Sequence, residues 1–246
     1  MGLLEPPAPK VFLLSPASAT GRRALQLASP RASFAAAERL RSPEGLPIGE
    51  AFCFMSALYF RGKMAYARRF AAAPWKAAAV LSKAAAAAAP AAAPAGSAPG
   101  GNGDDGTLPG GVPEAGAILV IAPGFGLVPP EWPLDLARLR KLARTPVDPA
   151  RRAYSAPLRR QARELALRLP ATARIVLLGS IATGKYLDLL VPILGERLLF
   201  PRAFVGTGDM RRGALMLRAA ASGEELEYAG CEQRRGGSPG LPPRRA

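Results

Sequence analysis

The stretch Arg174-Ile-Val-Leu-Leu178-Gly-Ser-Ile-Ala-Thr-Gly184-Lys-Tyr186 decides the fold. Ile175–Leu178 is an unbroken aliphatic run bounded by glycine, which reads as a strand covered on both faces; a half-solvated strand would alternate with polar residues. Residues 179–184 punctuate it, and an apolar helical pattern then runs to about Leu194. The same rhythm occurs three more times. Val11–Leu14 precedes Ser15–Arg23 and a helix to about Ala28. Ala117–Ala122 precedes the loop Pro123–Pro130 and a helix over 135–144 with Asp135 as N-cap. Arg197–Phe200 precedes Pro201–Asp209 and a helix to about Ala221, with Thr207 or Asp209 placed to cap it. Between the second and third strands, Ser155 is set to cap a helix with Pro157 in its first turn. Leu158, Ala162, Leu165 and Leu169 form its buried stripe, and Arg159, Arg160 and Arg163 its solvated face.

Strands alternating with amphipathic helices predict an α/β fold of three layers, αβα, around a small, mainly parallel sheet of four or so strands. Residues 117–228 supply only three strands, so Val11–Leu14 is needed to complete the sheet. The chain therefore reads as one α/β domain in two parts, 1–70 and 117–228. Between them, 71–116 holds Ala84–Ala89, Pro90, Pro94, Pro99 and a Gly/Asn/Asp run, the composition of a flexible low-complexity insert. Residues 229–246 read as a disordered basic tail, with Cys231 incidental within it.

Composition narrows the chemistry. The 246 residues contain no histidine, which excludes Ser-His-Asp and Cys-His nucleophile systems, His-ligated zinc and His pH switches. Two cysteines, Cys53 and Cys231, suffice for neither a Cys₄ zinc site nor a disulfide framework. Cys53, between Phe52 and Phe54, reads as a small core hydrophobe. No metal and no cofactor are expected. No apolar run reaches the roughly eighteen residues of a spanning helix, and the start has neither a signal-peptide pattern nor a myristoylation pattern, so a cytoplasmic protein without membrane contact is expected. The net charge is +15, with 27 Arg against 6 Lys, distributed as +6 over 1–70, −1 over 71–116, +7 over 117–228 and +3 over 229–246. A compositional bias toward Arg, Ala, Gly and Pro accounts for part of it. The remainder is a diffuse positive field that favours polyanions.

In sheets of this kind the ligand crevice lies beyond the carboxyl ends of the strands, where all four unusual loops should gather. Gly179–Tyr186 approaches a Walker A loop, but Tyr186 stands where Ser/Thr should hold Mg²⁺, and no later strand ends in a Walker B Asp. A nucleoside triphosphatase is disfavoured; Ser180 and Lys185 remain placed to hold one phosphate at a helix start, or else to sit on a plain tight turn. In the 124–135 loop, Gly124 and Gly126 permit close backbone approach. Glu131 beside Trp132 offers a carboxylate next to an aromatic plane, with Asp135 as a second carboxylate, a pairing suited to base stacking and a glycosidic-type step. The competing reading has Trp132 filling the core edge and Asp135 only capping. Ser15, Arg22 and Arg23 form a candidate anion cradle, and Asp209 lies in the fourth loop.

Taken in order, these motifs resemble an uncharacterised bacterial family, a domain of unknown function distantly related to uracil-DNA-glycosylase-like folds. The resemblance rests on Leu14-Ser15 through Gly21-Arg22-Arg23, Leu58-Tyr-Phe-Arg-Gly-Lys-Met-Ala-Tyr-Ala67, Gly126-Leu-Val-Pro-Pro-Glu131, Gly184-Lys-Tyr-Leu-Asp188 and Val205-Gly-Thr-Gly208. The Gly126–Glu131 stretch also looks like a loop in the core domain of archaeosine synthase. The resemblance spans about 11–70 and 117–221. It departs from true uracil-DNA glycosylases in lacking their His-Pro-Ser loop and Gly-Gln-Asp-Pro-Tyr stretch. The expectation is a protein that binds or processes a nucleobase, nucleotide or nucleic acid at the carboxyl edge of its sheet, with Glu131 the carboxylate of any glycosidic step. The alternatives are a non-catalytic nucleic-acid-binding module using Tyr59, Tyr66 and Trp132, and an interaction protein.

Overall fold

Val11–Leu14 lies at the centre of the molecule, within strand β1 (Lys10–Leu14). In the computed structural model, which describes residues 9–71 and 118–231, β1 pairs in parallel with β3 (Ile118–Ala122) on one side and β6 (Arg174–Leu178) on the other. A strand from the first part of the chain thus fills the gap between two strands of the second. β7 (Leu198–Pro201) adds in parallel to β6. The four aliphatic runs of the sequence are these four parallel strands, in the spatial order β3-β1-β6-β7.

The sheet is wider than expected. β4 (Gly126–Val128) folds back antiparallel on β3, and β8 (Tyr228–Gly230) pairs antiparallel with β7, giving six strands in the order β4-β3-β1-β6-β7-β8. Both additions are three-residue edge strands with no aliphatic run to announce them. Two-residue strands β2 (Leu46–Pro47) and β5 (Pro133–Leu134) make a separate small ladder.

Helices cover both faces. On one lie α1 (Arg22–Ala28), α2 (Ala35–Arg41), α3 (Ile48–Ser56), α4 (Leu58–Phe70) and α8 (Asp209–Ser222), around a core that includes Phe12, Leu14, Val120 and Val176. On the other lie α6 (Arg152–Arg168) and α7 (Gly184–Leu194), against Val11, Leu13, Leu119 and Ile121. α5 (Leu136–Arg144) buries Leu139 and Leu142 in the first core. Alternate residues of β1 and β3 feed opposite cores, the period of two that a strand imposes.

Several local expectations need correcting. α6 starts three residues before Ser155, which lies inside the helix and donates its Oγ hydrogen to the Arg151 carbonyl rather than capping. Neither Thr207 nor Asp209 caps α8; Thr207 Oγ1 donates to the Ala203 and Phe204 carbonyls. Cys231 is 1% exposed and packed in the second core, because β8 carries the chain onto the sheet edge. Tyr66 accounts for that edge: its hydroxyl bonds the Tyr228 hydroxyl at 2.7 Å and accepts from the Leu226 N–H at 2.9 Å. Residues 72–116 of the expected insert and the rest of the basic tail lie outside the described residues; Ala71 is described and ends α4.

Candidate active site at the carboxyl edge of the sheet

The chain leaves β1 for β3 on one side of the sheet and goes from β3 to β6 on the other, so the topological switch point lies between β1 and β6. Their carboxyl ends are where an open α/β sheet leaves a crevice. β1 ends in Ser15, whose N–H still donates to the Leu178 carbonyl at 3.1 Å. β6 ends in Gly179, where an added Cβ would stand 2.9 Å from that of Ser15. Glycine is what lets the two strand ends close together here.

Over this point lies a buried lysine. Lys63 Nζ, on α4, donates to the Ser15 carbonyl at 2.9 Å and contacts Ser15 Oγ at 2.7 Å. It also lies 3.9 Å from the centroid of the Tyr59 ring, one helical turn earlier. Lys63 is 1% exposed and Ser15 4%. Burial pulls the Lys63 pKa down to about 7; Asp209 acts to raise it and Arg212 to lower it further. A buried ammonium is costly without full compensation, and this one has two oxygens of one residue and a ring face, with no carboxylate bonded to it among the described residues.

Three helices complete the cluster. Tyr186 on α7 is 8% exposed and lies close to Ser15, its pKa pushed up to about 12 by burial. Arg212 on α8 is 6% exposed; its guanidinium donates to the Phe204 carbonyl and meets Asp209 Oδ1 at 3.3 Å. Tyr59 on α4 is 7% exposed, and burial raises its pKa to about 12. Its hydroxyl makes no hydrogen bond of ordinary geometry among the described residues, although Arg212 stands close enough to act on it. Side chains from both helical layers thus meet above one sheet edge.

Beside the cluster opens a cleft of about 450 Å³. The loop Pro16–Thr20 forms one wall, Lys185 and Tyr186 another, and Pro123, Leu142 and Thr145–Val147 the rest. The N–H groups of Ala17, Ser18, Ala19 and Thr20 donate to no described residue, so the loop presents unpaired donors.

Ser15, Tyr186 and Asp209, far apart in sequence, come together here, and Lys185 lines the cleft. Ser180 accepts from the Ala182 N–H at 3.4 Å and shapes the turn before α7. Arg22 and Arg23 are exposed at the start of α1, Arg23 donating to the Phe54 carbonyl at 3.4 Å. Gly124 takes a left-handed conformation, φ 83°, against Thr145. Gly126, φ 88°, leaves room for the Gln161 carboxamide, which accepts from the Leu127 N–H. β4 carries the chain back along β3, Val128 beside Val120, before Glu131 stands exposed on a turn. Trp132 is buried against Phe125, centroids 4.9 Å apart, with the Arg138 guanidinium over its ring. Asp135 accepts from the Arg138 N–H at 2.7 Å and caps α5 as expected.

Lys63 and Arg212 were not singled out from the sequence as site residues, yet each left a trace there. Tyr59, Lys63, Tyr66 and Phe70 share one face of α4, and Arg212, Met216 and Ala219 one face of α8. A charge inside an apolar stripe must find a buried partner, which makes such a position worth singling out. No group of three or more His, Cys, Asp or Glu that could hold a metal exists among the described residues, and no helix there is long and apolar enough to cross a membrane. The chain matches no protein-family model, no curated protein and no solved structure.

Proposed function

We propose that this protein binds a nucleobase, nucleotide or nucleic-acid strand at the carboxyl edge of its sheet and processes it there. The observation that carries the reading is the cleft beside the switch point, with Ala17–Thr20 N–H groups that donate to no described residue on one wall and Lys185 and Tyr186 on another. Backbone donors and an ammonium suit a phosphate or carbonyl oxygens, while the Tyr186 ring, Phe52 and Leu142 suit the face of a base. The volume falls in the range of small-molecule sites. The sequence resemblance to an uncharacterised family distantly related to uracil-DNA-glycosylase-like folds points to the same ligand class.

A second reading, a nucleic-acid-binding module without chemistry, is favoured by one observation. Arg22, Arg23 and Arg61 are exposed, and Arg23 and Arg61 line a shallow depression with Gln26 and Cys53. Thermal shift against nucleobases, mononucleotides and short oligonucleotides separates the two. A mononucleotide at a hundred times its Kd should stabilise the protein by about 2.7 kcal/mol, with little salt dependence. Stabilisation by oligonucleotides alone, falling steeply with salt as counterions are released, selects the second reading. No shift with any of them defeats both.

A further inference from the structure

We infer that Ser15 is a nucleophile and Lys63 its general base, a serine–lysine dyad that transfers an acyl group from a small ester or amide to water. This goes beyond the ligand class above and stands without it. Three geometric facts carry it. Ser15 Oγ and Lys63 Nζ are 2.7 Å apart, inside the range for transferring the proton that activates a hydroxyl. Both groups are buried at the switch point, and Ser15 leads directly into the loop that walls the cleft. The surroundings also orient the amine. A neutral lysine has two N–H bonds and one lone pair. The Ser15 carbonyl takes one N–H at 2.9 Å and the Tyr59 ring face the other at 3.9 Å, so the lone pair is left for the Ser15 hydroxyl. Without histidine in the chain, a desolvated lysine can serve as base near neutral pH, and among the described residues Lys63 is the lysine so buried.

The step balances as follows. Ser15 Oγ bonds to the carbonyl carbon and its proton passes to Lys63 Nζ. The carbon–leaving-group bond breaks, and the departing alcohol or amine takes that proton from Lys63. Water, giving a proton to the regenerated amine, then attacks the Ser15 ester; the ester C–O bond breaks, Ser15 Oγ takes that proton back from Lys63, and a carboxylic acid is released. The N–H groups of Ala17–Thr20, which donate to no described residue, are the available donors for the oxyanion. The groups facing Lys63 are Ser15 from the β1 loop, Tyr59 from its own helix, Asp209 and Arg212 from α8 and, across Ser15, Tyr186 from α7.

The test is covalent labelling of the full chain with an alkyl fluorophosphonate, which forms a bond from Ser15 Oγ to phosphorus and expels fluoride. Peptide mass spectrometry should place the adduct on Ser15. Its rate should rise with pH through about 7 as Lys63 loses its proton and then level off. Ser15→Ala should abolish labelling, and Lys63→Met should slow it at least a hundredfold and flatten the pH profile. If Lys63→Met proves unfolded by circular dichroism, the wild-type profile decides, because a purely structural lysine would impose no rise near pH 7. An unlabelled wild-type protein at pH 8.5, or an adduct on another residue, overturns the dyad. Either result leaves the nucleotide reading to its own thermal-shift test.

Discussion

At the scale of single residues, Lys63 sets two measurable properties besides reactivity. Its pKa in the folded chain is about 7, whereas in the unfolded chain it returns to about 10.5. Between those values the unfolded chain holds a proton that the folded one has shed, so this residue's contribution to stability rises with pH. Below about pH 7 the fold must bury an ammonium, and that cost is fully present. The stability of the wild type relative to Lys63→Met should therefore climb from pH 7 to 10, by at most about 1.4 kcal/mol per pH unit. Chemical denaturation of both proteins across that range checks it; a constant difference would mean that Lys63 is charged in the fold throughout. At the same scale, Asp135 was fully legible, because N-capping is a local bond between a carboxylate and an N–H three residues on. Lys63 was not, because its partner Ser15 lies 48 positions away.

At the scale of elements, the site depends on how closely α4 and α8 approach. They cross at Gly62 and Gly213, where a Cβ on Gly62 would stand 2.7 Å from the Gly213 carbonyl oxygen and one on Gly213 2.9 Å from that of Leu58. Each glycine neighbours a buried cation, Lys63 or Arg212, so the crossing sets where those two side chains enter the cluster. Gly213→Ala should force the helices apart and cost about 1–3 kcal/mol, the usual result of overpacking. A lower thermal midpoint together with slower fluorophosphonate labelling would show that the crossing positions the dyad. α3 and α4 meet at Ala57, which has a left-handed φ of 45° although it carries a Cβ. Ala57→Gly relieves that conformation and should raise stability by up to about 1 kcal/mol, read from denaturation midpoints. In the sequence, the helices after the long aliphatic strands could be read from their periodicity and breakers. The turn at Ala57 could not, since alanine announces a helix and not its end.

Over the whole molecule, β1 makes the two described parts one hydrogen-bonded sheet. Removing 9–71 would strip β3 and β6 of the strand between them and expose Val120 and Val176 of the first core. Expressed separately, 1–71 and 117–246 should each lack a cooperative thermal transition, and mixing them should restore one; a cooperative melt of the second fragment alone would show that β1 is dispensable. The four parallel strands and their common edge were determined by the sequence itself, because an aliphatic run followed by a glycine or proline loop has few alternatives to a doubly covered strand. The edge strands β4 and β8 were not, since three residues carry too little periodicity and owe their conformation to an already formed neighbour. The absence of histidine likewise set limits that no fold could relax. What filled the place of a histidine base was decided only by tertiary structure. Burial of an amine and its distance to a hydroxyl are properties of a helix and a strand end brought together by the fold, and neither segment contains them alone.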